Sequence, residues 1–294
     1  MKISDYVNRR TILFLSLSIL ALYMLYVPLR DLFDSSIRSD FYDHIMVIPL
    51  LSAYLLYTKR KEIFSSVEYG FKAGIPMMAL GFLLFFLGKR IAPELNQNDY
   101  SSLIACSTIF IFIGSFVCCY GVRAFKSAAF PLLFLVFMIP VPTFIMDPFI
   151  YILTLGSAEV TEWLFRLTGT TYLREGVVFH LSGVSIEVAR ECSGIRSTMA
   201  LIVVVVLASY MFLRSNWKRF VLVLALFPLT ILKNGIRIVT ITLLAVYVDK
   251  SFLTHGFLHK SGGVFFFIPS LALLGLILYF LRKGEKTTSS LSRE

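Results

Sequence analysis

The chain has 294 residues, of which 57% are hydrophobic and only 16% charged. With a mean hydropathy of +0.79, it has too few polar residues to cover a soluble core, which excludes an ordinary water-soluble domain. The net charge is +10. The basic residues sit beside apolar blocks rather than in one stripe, so they read as membrane topology and not as a nucleic-acid surface.

A helix needs about 20 apolar residues to cross a bilayer. Eight blocks are candidates, near 11–29, 42–58, 72–89, 101–121, 126–142, 195–213, 219–248 and 263–281. The first follows Lys2, Arg9 and Arg10 and is too long for a signal-peptide core, so it reads as a retained span. Cys106, Cys118 and Cys119 fall in the fourth block and read as small packing residues. The expected fold class is an all-α integral membrane protein: about eight transmembrane helices, an interfacial helix and a small outer β-hairpin. It reads as one polytopic domain over 1–294, with N-terminal spans over 11–142, a functional part over 143–281 and a polar tail over 282–294.

Basic clusters set the orientation. Lys59 to Lys61, Arg123 with Lys126, Arg214 with Lys218 and Arg219, and Arg282 with Lys283 should all be cytoplasmic. The loop after the first block carries Asp31, Asp34, Asp40 and Asp43, which suits the outside. The segment 143–168 contains Asp147, Pro148, Glu159, Glu162 and Arg166, costly company at mid-membrane. The basic clusters stay on one side only if this segment does not cross, so it is expected to lie along the outer interface.

From Gly176 to Ala189, β-branched runs flank Ser182-Gly183, a hairpin pattern. Open strands cannot sit in hydrocarbon, so the hairpin should stand outside and deliver the chain to Cys192. Arg237 lies 18 residues beyond Arg219, or about 27 Å along a helix, near the outer boundary. His259 precedes the last block. Topology thus brings Cys192, Arg237 and His259 to one depth.

These three residue types suit acyl transfer. A thiolate attacks a carbonyl, an imidazole accepts the thiol proton and returns it to the leaving amine, and a guanidinium steadies the oxyanion. Each has a plainer reading: a structural thiol, an arginine reaching for headgroups, a loop histidine. Against that, Lys233, Asn234, Gly235 and Arg237 interrupt an apolar run, and Asn234 and Arg237 share a helical face. Arg190 and Glu191 flank Cys192 and read equally as plain loop charges. His255 and His259 have a metal-like spacing, yet no neighbouring carboxylate or cysteine completes a ligand set, so no metal or other cofactor is expected. His44 and His180 read as interfacial.

The run Glu191-Cys192-Ser193-Gly194-Ile195-Arg196-Ser197 resembles the exosortase/archaeosortase family, which carries Cys-Ser/Thr-Gly after a short outer hairpin. Asn234-Gly235-Ile236-Arg237 is similar to the family's Asn-x-x-Arg, and His259 with Gly263 to its His-x-x-x-Gly; Pro140-Val141-Pro142 also looks alike. The chain departs from the pattern at Arg190 and at Ser261-Gly262-Gly263. The resemblance implies a membrane cysteine protease or transpeptidase with Cys192, Arg237 and His259 as catalytic residues, supported by Glu191, Ser193, Gly194, Arg196 and Asn234. Its partners would be exported proteins ending in a sorting signal: a Pro-Glu-Pro-type motif, a spanning helix and a basic cluster. Membrane lipid would surround it, no nucleic acid would bind, and the site would face outward from the cell (cytoplasmic) membrane. Such enzymes often accompany exopolysaccharide production. The competing readings are a transporter or polysaccharide-export component, which the lack of an internal repeat disfavours, and a membrane acyltransferase using the same thiol.

Overall fold

The computed structural model describes residues 9–24, 26, 30, 43–189, 194–254 and 257–291. They fall into two compact units, Met1–Ile145 and Met146–Glu294.

In the first unit α1 (Arg9–Met24) is followed by α2 (Val47–Thr58), the single turn α3 (Arg60–Ile63), α4 (Phe71–Ile91), α5 (Gln97–Ser127) and the short α6 (Ala129–Phe134). Glycines set the α4–α5 contact. A Cβ on Gly74 would lie 2.4 Å from Cys118 Sγ, one on Gly81 2.6 Å from Ile111 Cγ1, and one on Gly114 2.7 Å from Met78 Cγ. Small residues let apolar helices approach closely where lipid supplies no hydrophobic drive. Cys118 lies in this contact, and Cys118 and Cys119 are both buried, in keeping with their reading as packing residues.

The fifth apolar block is a helix only in part. After α6 it tightens into a 3-10 turn, Leu135–Met138, and then extends at Ile139 (φ −75°, ψ 119°), as the residue before a proline prefers. This broken segment runs back to the start of α5. There Ser102 Oγ donates to the Pro140 carbonyl at 2.7 Å and Asn98 Nδ2 to the Val141 carbonyl at 2.8 Å. Asn96 caps α5 by accepting the Asp99 N–H at 2.8 Å, and Asp99 in turn accepts the Thr143 N–H at 2.6 Å. Side chains thereby satisfy backbone groups that the broken helix frees.

Helix α7 (Thr143–Leu167) leads into the second unit, with strands β1 (Leu173–Glu175), β2 (Val178–Leu181) and β3 (Val184–Glu187), then α8 (Ile195–Phe212), α9 (Asn216–Tyr247), the turn α10 (Ser251–Thr254) and α11 (Phe257–Leu291). The expected hairpin is present and gains a third strand. The sheet is antiparallel in the order β1-β2-β3, with Arg174 opposite Phe179 and Phe179 opposite Ile186. Two-residue turns, Gly176-Val177 and Ser182-Gly183, join the strands. His180 sits in β2 with Nδ1 2.9 Å from Ser185 Oγ.

Phe179, Ile186 and Val188 pack on Ala158 and Phe165 of α7 and Val239 of α9. Charges finish the junction. Arg174 donates to Glu159 at 2.6 Å and also to Glu162, which accepts from Arg166 and from the Tyr172 hydroxyl as well. At the other end of the α8–α9–α11 bundle Leu201, Leu222, Leu226 and Leu274 form an apolar core. There Glu285 accepts the N–H groups of Arg214 and Ser215, at 3.1 and 2.8 Å, and the basic residues Lys218, Arg282 and Lys283 gather nearby in the chain.

Every one of the eight apolar blocks contains helix, but the count of eight spans is not confirmed. Among the described residues five helices are long and apolar enough to cross a bilayer: Phe71–Glu94, Gln97–Ser127, Thr143–Leu167, Asn216–Tyr247 and Phe265–Glu285. Val47–Thr58, Ala129–Met138 and Ser197–Phe212 are shorter. The segment expected along the interface, 143–168, is among the five by length and composition. Towards its C-terminal end the three-stranded sheet packs on Ala158 and Phe165, and Glu159, Glu162 and Arg166 of the helix join Arg174 of β1 in an ionic cluster.

Candidate active site

The site is built where α7, α8 and α9 meet, all within the second unit. Glycine makes the α7–α9 crossing close. A Cβ on Gly235 would lie 2.4 Å from Val160 Cγ1, and one on Gly156 2.8 Å from Ile231 Cδ1. The approach brings Asn234, 1% exposed, against Ser157, to which its Nδ2 donates at 3.0 Å.

The same Asn234 meets the start of α8. Gly194, the last residue of the Cys-Ser-Gly run, caps that helix in the left-handed region at φ 76°, ψ 12°. A side chain there would be strained, and its Cβ would sit 3.2 Å from Asn234 Oδ1. The glycine therefore answers both a backbone and a packing demand. Its carbonyl accepts three donors: the Thr198 N–H at 3.0 Å, Thr198 Oγ1 at 2.8 Å and Ser197 Oγ at 3.0 Å. Ser197 Oγ also receives the ammonium of Lys233 from α9. Gly194 and the first turn of α8 are thus tied to α9 by two adjacent residues, Asn234 and Lys233.

Arg237 is half-buried one turn further along α9, and among the described residues its Nε is a buried donor with no acceptor. Cys192, Glu191 and Ser193, together with Arg190 and His255, lie outside the described residues. Arg196 and His259 lie in the first turns of α8 and α11, and their side chains are likewise outside the described set. The structure therefore brings together Gly194 and Asn234, with Arg237 next on the same helix. Sequence reasoning missed the roles of Ser157, Ser197 and Lys233. A lysine inside an apolar run is a visible signal, but its partner on another helix is not.

A groove of about 640 Å³ opens between the first turns of α7 and the end of β3. Asp147, Tyr151, Thr154, Glu187 and Ala189 line it, and Ala189 is three residues before Cys192. Among the described residues no group of three His, Cys, Asp or Glu side chains could hold a metal ion.

The family model for transmembrane exosortases (Exosortase_EpsH) matches residues 35–276, most of the chain. The chain belongs to this family. The matched residues include the Cys-Ser-Gly run, the Asn-x-x-Arg run and His259. No curated protein and no solved structure matches the chain. Family membership and the apolar helices together make it a multi-pass membrane protein of the exosortase type.

Proposed function

We propose that the chain is a cysteine transpeptidase or protease that cleaves the C-terminal sorting signals of exported proteins at the outer face of the cell membrane. The observation that carries this reading is the seating of Gly194, at the end of the Cys-Ser-Gly run, on Asn234 of the Asn-x-x-Arg run. Two motifs 40 residues apart in sequence thereby share one site.

In this reading Cys192 Sγ attacks the scissile carbonyl, and His259 takes the thiol proton and gives it to the departing amine. Arg237 faces the oxyanion of the tetrahedral intermediate. The products of the first half are a thioester on Cys192 and the released spanning tail. An acceptor amine or water then attacks the thioester and frees the thiol. The groove ending at Ala189 would hold the extended peptide just before the bond that breaks. Glu191, Ser193 and Arg196 would support the loop.

The experiment pairs the chain with an exported protein ending in a Pro-Glu-Pro-type motif, an apolar helix and a basic cluster. Processing is followed by size, and the Cys192 adduct by mass. Wild type should process and carry a peptide adduct, whereas Cys192→Ala and Cys192→Ser should do neither. Normal processing by Cys192→Ala would end the proposal, and a fatty-acyl adduct in place of a peptide would convert it to an acyltransferase.

A further inference from the structure

Helix α9 carries two cations, Lys233 and Arg237, at the i, i+4 spacing that puts them on one face, where like charges repel. Lys233 is only 6% exposed. The ion pairs among the described residues involve neither cation. A methionine would fill the same space, and an ammonium in an apolar span points to function. Its one described hydrogen bond is to Ser197 Oγ, which donates to the Gly194 carbonyl. Cys192 is two residues before Gly194, so the two Cα atoms are within about 7.6 Å. The buried charge is thus tied to the turn that follows the nucleophile.

We infer that Lys233 is a positioning residue for Cys192: through Ser197 it fixes the first turn of α8, and its charge favours the thiolate over the thiol. This rests on the catalytic reading of Cys192 and adds to it. The charges to weigh against it include the carboxylates of Glu187 and, by sequence, Glu191, and Asp147, which lines the same groove as Glu187. Helix α7 presents Ser157 against Asn234, and its carboxylates Glu159 and Glu162 are committed to Arg174 and Arg166. Helix α8 contributes Ser197 and, by sequence, Arg196, α9 itself adds Arg237, and the proposed reading adds His259 of α11.

The test reads the thiol directly. The full-length protein in detergent is alkylated by a charged maleimide across a pH series, and the share of labelling lost in Cys192→Ala belongs to Cys192. Lys233→Gln keeps a donor for Ser197 and removes the charge. It should raise the midpoint by about one pH unit, which is tenfold less thiolate at a fixed pH below it, and lower processing about tenfold. Lys233→Arg should keep the midpoint near wild type. Lys233→Met should behave as Lys233→Gln, and if either variant melts before the assay the other decides. An unmoved midpoint in a folded, uncharged variant overturns the inference. If Cys192→Ala is inactive and that midpoint is unmoved, only this inference falls; normal processing by Cys192→Ala removes the reading beneath it.

Discussion

Arg237 is the residue whose chemistry can be tested most sharply by a small change. Its Nε is buried with no acceptor among the described residues, and an unsatisfied buried donor costs about 1–3 kcal/mol. In the proposed reading the acceptor is the oxyanion, which exists only during reaction. Lysine keeps the charge but loses the planar fork. Arg237→Lys should therefore lower processing by roughly a hundredfold, the usual loss for one oxyanion donor, with unchanged amounts of protein in the membrane. Wild-type turnover in that variant would remove the role. Arg237 and Asn234 were legible in the sequence because polar residues stand out in an apolar run. Ser157 and Ser197 were not, because a serine in a helix carries no signal until its partner is known.

Helices and strands show where sequence patterns end and contacts begin. The hairpin at 176–189 was legible from its turn residues, while β1 was not, since three residues at Leu173–Glu175 have too little pattern to register. The fifth apolar block looked like a plain span. Its break comes from Pro140 and Pro142 and is held by Asn98 and Ser102 from α5, a tertiary arrangement that hydropathy does not encode. The α7–α9 crossing gives a prediction of its own. In a lone helix Gly235→Ala would gain about 0.5–1 kcal/mol. Here the new methyl would lie 2.4 Å from Val160 Cγ1, and overpacking of that kind costs about 1–3 kcal/mol. The contact outweighs the propensity, so Gly235→Ala should lower the thermal midpoint of the detergent-solubilised protein and reduce processing. A raised midpoint would mean that Val160 moves aside freely.

For the molecule as a whole, the decisive quantity is sidedness. Apolar blocks and basic clusters made the membrane class and the helix positions legible, but the number of crossings depends on which helices meet lipid, and packing decides that. The proposed orientation puts the turn at Lys250 outside and the end of the α8–α9–α11 bundle at Arg282 inside. Lys250→Cys should be labelled in intact cells by an impermeant maleimide, and Arg282→Cys only after permeabilisation. The background is set by the unmodified chain. The opposite pattern would turn the site to the cytoplasm and remove exported proteins as substrates.

Helix α9 has 32 residues and is about 48 Å long, roughly 18 Å more than the hydrocarbon it crosses. It therefore works as a mast: its foot is moored among lysines and arginines, and Asn234 and Arg237 ride about two-thirds of the way up. The Gly194 turn is lashed to the same mast through Asn234 and Lys233. In a thinner or thicker bilayer the mast tilts or rises, and Asn234, Arg237 and the Gly194 turn move with it, so under the proposed function lipid composition sets which bond of a spanning substrate comes level with the site.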